Sequence, residues 1–360
     1  MIKIILLSFS TLLMSCSVKF SSEKNSTKTQ KPQNIILMIG DGMGLSQVSA
    51  TYYQQKSNLN LKKIKNIGLM TTHSSDKLVT DSAAGATSFA CGIKTYNGAI
   101  GVDDNKKSVK TILEYFEDKN CVTGLVATST ITHATPASFV AHQNKRSMHE
   151  EIASDIANSE TDLIIGGGLK YFTERKDKVN LLEKMNSRGF QNFTSLEDLQ
   201  NSNSLKSIAL LAKDATPRIS EGRGDFLPLA TEIALDKLST NKNGFFLMVE
   251  GSQIDWGGHD NDQNYLISEL VDFDKAIGIA IDFVDKNPET LLIVTADHET
   301  GGIAITGGNV EEGKVETIFA SKHHTGALIP VYAYGRGSEN FRGFYDNTDV
   351  FKKMYKLKFE

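Results

Sequence analysis

Cysteine is almost absent from this chain: Cys16, Cys91 and Cys121 are its only 3 in 360 residues. That is too few for a disulfide-stapled scaffold. Proline is scarce as well, at 6, and lysine far outnumbers arginine. That pattern suits a flexible enzyme, and genome base bias produces it equally well. No strong charge of one sign is present. A net charge of -4 gives none of the basic field that nucleic-acid binding needs. After the first residues no apolar run approaches the length of a membrane span. Repeats and a second composition regime are also missing, which makes one domain over 34–360 the economical reading. What is there, 40% hydrophobic and 23% charged residues, is ordinary for a globular protein.

The N-terminus stands apart. Lys3 precedes an apolar stretch, Ile4 to Met14, too short to span a bilayer but suited to a signal-peptide core. It ends in Leu13-Met14-Ser15-Cys16, which resembles a bacterial lipoprotein cleavage box. The expectation is a signal peptide over 1–15 and a lipidated Cys16, with a plain secretory signal cleaved elsewhere as the alternative. Export to the periplasm or cell surface follows, with membrane contact only through that lipid. Residues 16–33 are polar, rich in Ser, Lys and Thr, and read as a flexible tether reaching roughly 55 Å when extended. Cys91 and Cys121 are expected to be free and buried.

From Asn34 onward, short apolar runs alternate with amphipathic stretches. The runs Ile35–Ile39, Thr123–Ala127, Asp162–Ile165, Ile208–Leu211, Phe245–Val249, Leu291–Thr295 and Pro330–Tyr334 read as strands, several buried on both faces. Helices are expected over Ser46–Gln55, Ser82–Cys91, Ser108–Lys119, His149–Asn158, Val179–Arg188, Pro228–Leu238 and Tyr265–Val284. The fold class is α/β: a three-layer sandwich in which helices cover both faces of a central, mostly parallel sheet. The stretch Gly301–Lys322 alternates like a hairpin beside it.

Ligands bind beyond the carboxyl ends of strands in open α/β sheets. Four strands here run into Gly40-Asp41-Gly42, Thr132-His133-Ala134-Thr135, Glu250-Gly251 and Ala296-Asp297-His298-Glu299. Asp255 and His259 are four apart, close enough on one helical turn to chelate an ion. Asp297-His298 and His323-His324 add further donors. Asp and His without Cys suit Zn²⁺ in a site that does chemistry. Asp41, Thr135 and Glu250 form an all-oxygen set that suits Mg²⁺. In Thr80-Asp81-Ser82-Ala83-Ala84, a serine opens a helix of small residues, where an anion can be held. The same residues also suit a plain helix cap.

These motifs resemble the alkaline phosphatase family. The matching pieces are Gly40–Gly44, Thr80–Gly92, Lys94–Gly101, His133–Ala137 through Arg146, Glu250–Asp255 with His259, Thr295–Glu299 and His324-Thr325-Gly326. They stand in the family's order. The resemblance implies a phosphomonoesterase that releases alcohol and inorganic phosphate from small phosphate monoesters through a phosphoserine at Ser82. It implies one Zn²⁺ on Asp255, His259 and His324 and a second on Asp41, Asp297 and His298. A third ion, usually Mg²⁺, falls to Asp41, Thr135 and Glu250. Arg146 would fork onto the phosphate with Asp81 orienting it, and the family is usually homodimeric.

Two positions depart from one common pattern. His133 would stand behind the metal ligands, where it could disfavour Mg²⁺ or admit another ion. Trp256 replaces a Lys or His that reaches phosphate in other members, and it either orients substrate or packs at the mouth of the site. His73, His142 and His149 lack acids at chelating spacing and read as surface or helix residues, as does His323 beside His324. Gly166-Gly167-Gly168 reads as a tight turn rather than a phosphate cradle. Competing readings are a phosphodiesterase or sulfatase of the same superfamily, and a non-catalytic surface lipoprotein that binds phosphate or metal.

Overall fold

The computed structural model describes residues 31–360; the expected signal peptide and the expected lipidation site Cys16 lie outside them. In chain order the first half runs β1 (Asn34–Gly40), α1 (Leu45–Gln54), β2 (Asn66–Thr71), α2 (Ser82–Cys91) and α3 (Ile112–Glu117). It continues through β3 (Val122–Thr130), α4 (Ala134–Ala137), α5 (His149–Asn158), β4 (Leu163–Gly167), α6 (Lys170–Thr173) and α7 (Leu181–Ser187). Next come β5 (Gln191–Phe193), α8 (Leu196–Asn201), β6 (Ser207–Leu210), α9 (Phe226–Leu238), β7 (Phe245–Gly251) and α10 (Gln253–Asp260). The chain ends through α11 (Gln263–Lys286), β8 (Thr290–Thr295), β9 (Glu299–Thr300), β10 (Ile303–Asn309) and β11 (Lys314–Phe319). Last are β12 (His324–Thr325), β13 (Ile329–Gly335), β14 (Gly343–Asp346) and α12 (Thr348–Phe359).

Ten strands form one sheet in the order β14-β2-β13-β8-β1-β7-β3-β4-β6-β5. All its pairings are parallel except those of β13, which runs antiparallel to both β2 and β8. Adjacent residues of β7 show why both faces are covered. Phe245 meets Phe283 of α11 at 5.8 Å, and Phe246 meets Phe116 of α3 at 5.4 Å. Side chains alternate across a strand, so α11 and α3 lie on opposite faces. The central strands β1, β7 and β8 are buried throughout, which explains their continuous apolar sequence.

The expected strands all form, as does the hairpin, built by β10 and β11. Helix α3 is shorter than the expected Ser108–Lys119. It starts at a capping box in which the Thr111 hydroxyl accepts from Glu114 N at 3.2 Å and Glu114 accepts from Thr111 N at 2.7 Å. Strands β2, β5 and β14 and helix α12 were not foreseen. β2, next to the edge strand β14, leaves Ile67 and Leu69 exposed, and β14 leaves Phe344 exposed, so neither reads as a buried run. Cys91 and Cys121 are free and buried, as expected. Among the described residues no helix is long and apolar enough to cross a membrane.

Candidate active site

The carboxyl edge of the sheet gathers the following side chains from five elements of the chain. β1 delivers Asp41 just beyond its end, β7 carries Glu250 at its last turn, and β8 leads directly into Asp297 and His298. Helix α10 presents Asp255 and His259, and β12 presents His324. Gly42, at φ +71°, lets β1 turn away sharply; a Cβ there would come within 2.8 Å of the Asp255 Cα.

Among the described residues, three groups of donors could each hold a metal ion: Asp255, His259 and His324; Asp41, Asp297 and His298; and Asp41, His133 and Glu250. Hydrogen bonds behind the imidazoles decide what they offer. His259 Nδ1 lies 2.6 Å from the Lys322 carbonyl and His324 Nδ1 lies 2.9 Å from the Thr80 carbonyl. A carbonyl only accepts, so Nδ1 carries the proton and Nε2 keeps a bare lone pair. Those two Nε2 atoms face each other at 3.2 Å, and Asp255 Oδ1 is 3.4 and 3.5 Å from them. Lone pairs and a carboxylate converging this closely repel unless a cation lies among them.

The second group repeats the arrangement. The Thr300 hydroxyl donates to Asp255 Oδ1 and therefore accepts from His298 Nδ1 at 3.2 Å. His298 Nε2 then faces Asp41 Oδ1 at 3.4 Å and Asp297 Oδ2 at 3.3 Å as an acceptor. Both oxygens of Asp41, Asp297 Oδ2, Glu250 Oε1, Thr135 Oγ1 and His133 Nδ1 are buried without a hydrogen-bond partner. Buried polar atoms are rarely left so. Burial and the Asp255 carboxylate push Asp297 up to about 8, and burial pushes Glu250 up to about 7. Burial and Asp297 raise Asp41 as well, and burial drives His298 well down. Each shift is the cost of collecting anions and lone pairs without positive charge. Divalent cations fit this donor set.

Ser82 opens α2, is buried, and its Oγ lies 3.2 Å from His298 Nε2 and 3.5 Å from the Arg146 guanidinium. Asp81 does two things at once. Its Oδ1 caps the helix by accepting from Ala84 N at 3.0 Å, and its Oδ2 accepts from Arg146 NH1 at 3.0 Å. Asp81 thus makes both contacts, a helix cap and an ion pair with Arg146. Arg146 NH2 lies 3.2 Å from His133 Nε2. A guanidinium only donates, so that nitrogen accepts and His133 Nδ1 carries the proton. Desolvation of the ring and the nearby Arg146 hold His133 down to about 3, hence neutral.

Asp41, Glu250, Asp255, His259, Asp297, His298 and His324 come together at this edge, with Ser82, Asp81 and Arg146 beside them. His133 differs from expectation: it joins Asp41 and Glu250 within one group rather than standing behind it. Trp256 is half-buried and meets the His133 ring edge-on at 6.2 Å, which suits packing. His323 is exposed and belongs to none of the groups, whereas His324 does. His142 does have an acid partner, Glu114 at 3.4 Å, brought from 28 residues away. Gly168 donates its N–H to the Ala212 and Asp214 carbonyls, so the glycine run is a turn and not an anion cradle. Thr300 and the Thr80 and Lys322 carbonyls were missed. Carbonyls carry no sequence signal, and a lone threonine carries little.

A helix N-terminus, a guanidinium fork and clustered anionic donors on one sheet edge define an enzyme for an anionic substrate. The alkaline phosphatase family model matches residues 32–317. Alkaline phosphatase 3 of Bacillus subtilis is 35% identical over 93% of this chain and 91% of its own length. The structure of alkaline phosphatase from the Antarctic bacterium TAB5 superposes with a TM-score of 0.87 at 47% identity, covering 92% of this chain and 98% of that one. A variant of that enzyme with a histidine changed to aspartate, with magnesium in its M3 site, gives the same TM-score of 0.87 and 47% identity over 92% of this chain and 99% of its own. The chain belongs to the alkaline phosphatase family, which are phosphoric monoester hydrolases.

Proposed function

We propose that this protein is an exported phosphomonoesterase that cleaves small phosphate monoesters through a phosphoserine at Ser82, with two zinc ions and a third, magnesium-type ion. The observation that carries this reading is the position of Ser82 Oγ, buried between His298 Nε2 at 3.2 Å and the Arg146 guanidinium at 3.5 Å. The His298 Nε2 lone pair beside Ser82 Oγ is the one its donor group offers a cation, so a cation held there would stand next to the hydroxyl and favour loss of its proton. Attack forms the Oγ–P bond as Ser82 gives up its hydroxyl proton to water at the open side of the site, and breaks the bond to the leaving alcohol oxygen, which takes up a proton from water in turn. Water then breaks the Oγ–P bond, restoring Ser82 and releasing inorganic phosphate.

Arg146 holds the phosphoryl oxygens through this sequence. Each terminal nitrogen has two N–H groups: NH1 spends one on Asp81 and turns the other toward Ser82 Oγ at a long 3.5 Å, where an arriving phosphate oxygen can take it, and NH2 spends one on His133 and keeps one for the substrate. Two parallel donors match a phosphate edge. The N-terminus of α2 adds its unpaired N–H groups. Cations held by Asp255, His259 and His324, by Asp41, Asp297 and His298, and by Asp41, Glu250 and Thr135 would supply Lewis-acid charge for nucleophile, leaving group and phosphate. His133 would join the last group as a ligand only by giving up its bond from Arg146, and an imidazole there would suit zinc better than magnesium. The magnesium seen in the aspartate variant of the TAB5 enzyme supports this link between the residue and the ion.

The N-terminal sequence supports export with Cys16 as lipid anchor. Exposed Ile67, Leu69 and Phe344 on β2 and β14 offer a second copy an apolar surface, which supports a homodimer. The function is tested by hydrolysis of an aryl phosphate monoester against its diester, with and without EDTA. A monoester rate well above the diester rate, abolished by EDTA, is expected; a diester rate equal to or above it overturns the reading.

A further inference from the structure

Thr300 belongs to none of the three donor groups, yet it touches a ligand in each of two. A hydroxyl has one proton, and Thr300 gives it to Asp255 Oδ1 of the first group. Its lone pairs accept from His298 Nδ1, 3.2 Å away, in the second. That bond selects the His298 tautomer whose bare Nε2 faces Ser82 Oγ, Asp41 and Asp297. The side chain is wholly buried, so its hydroxyl meets these two ligands without competition from bulk solvent.

The surroundings are shaped to hold it. A Cβ at Gly42 would come within 2.7 Å of Thr300 Oγ1, and one at Gly258 within 3.0 Å of its Cβ and Cγ2. Two glycines from separate segments thus clear the space that this side chain fills. Its carbonyl accepts from Gln47 Nε2 at 2.7 Å, its N–H donates to the Gly42 carbonyl at 3.3 Å, and β9 pairs it with His324. Held from these directions, the hydroxyl cannot swing away from either ligand.

We propose that Thr300 is a positioning residue for the metal centre, its hydroxyl fixing one ligand of each of the two zinc groups at once. This rests on the metal-dependent reading given above. Removing the hydroxyl while keeping the shape leaves Asp255 free to turn and His298 free to exchange its tautomer. Loss of a hydrogen bond behind a metal ligand typically weakens metal affinity about 10- to 100-fold.

The test is zinc titration of the stripped full chain against a chromophoric chelator, for wild type, T300V, T300A and T300S, with circular dichroism to establish folding. Visible absorption of the cobalt-loaded proteins reports ligand geometry directly. T300V and T300A are expected to bind zinc about 10- to 100-fold more weakly and to shift the cobalt spectrum. T300S should restore both. Wild-type affinity in a folded T300V or T300A overturns the proposal, as does T300S behaving like T300V. Wild type that takes up no zinc overturns the metal reading itself, and the role of Thr300 with it.

Discussion

Replacing Asp81 with asparagine separates two jobs that one carboxylate performs. Oδ1 accepts from Ala84 N and from Gly98 N, each at 3.0 Å, and Oδ2 accepts from Arg146 at 3.0 Å. Asparagine keeps a carbonyl oxygen for the two amides and is as good a helix cap as aspartate. Its NH₂ then meets the guanidinium donor to donor. The pair is partly exposed, with side chains 31% and 19% accessible, so solvent screens it and about 1 kcal/mol is at stake. That corresponds to about fivefold in phosphate affinity. D81N should therefore raise the inhibition constant of inorganic phosphate and the KM for an aryl phosphate about fivefold, with zinc content and urea midpoint nearly unchanged. D81A also removes the cap and leaves Gly98 N without its acceptor, lowering stability by about a further 1 kcal/mol. The assays are competitive inhibition by phosphate and urea unfolding. An unchanged inhibition constant in D81N, or equal destabilisation by both variants, would refute the assignment of the two oxygens.

His324→Ala should lower bound zinc by about one ion per chain and His323→Ala by none, read by elemental analysis; the reverse would exchange their roles. Stripped of metal, the protein keeps Asp41 raised, Asp297 at about 8 and Glu250 at about 7. Raised carboxyls bind more protons folded than unfolded, while the depressed His133 and His298 bind fewer and oppose them up to about 6.5, so the acids act unopposed from about 6.5 to about 8, where the stability of the stripped protein falls as pH rises. A melting temperature that climbs across that window contradicts the burial of these anions together. His133→Asp makes the third group all-oxygen and should increase activation by magnesium at fixed zinc. Unchanged magnesium dependence would remove His133 from that group.

Much of this was legible in the sequence because the chemistry follows the strongest signals. β1, β7 and β8 are uninterrupted apolar runs, and each ends in an acid that the sheet must deliver to one edge. Helix α2 runs over Ser82–Cys91 as its small residues predict, since Gly85 lies so close to Asp297 that a Cβ would reach 3.0 Å from it. Edge elements were less legible. β2 and β14 are half exposed, and lysine-rich α12 docks through Phe351, Tyr355 and Phe359 on Tyr115, a contact across more than half the chain. Partners far apart in sequence were not legible either. Glu114 for His142, the two carbonyls behind His259 and His324, and Thr300 between two ligands exist only once the chain has folded.

The central claim is that Ser82 is the nucleophile. Its most direct test is to mix the zinc-loaded protein with an aryl phosphate, quench in acid and map the peptides by mass spectrometry. The account predicts a phosphoryl group on Ser82, and none anywhere in S82A, which should keep its zinc. Turnover without modified Ser82, or covalent phosphate in S82A, would contradict it.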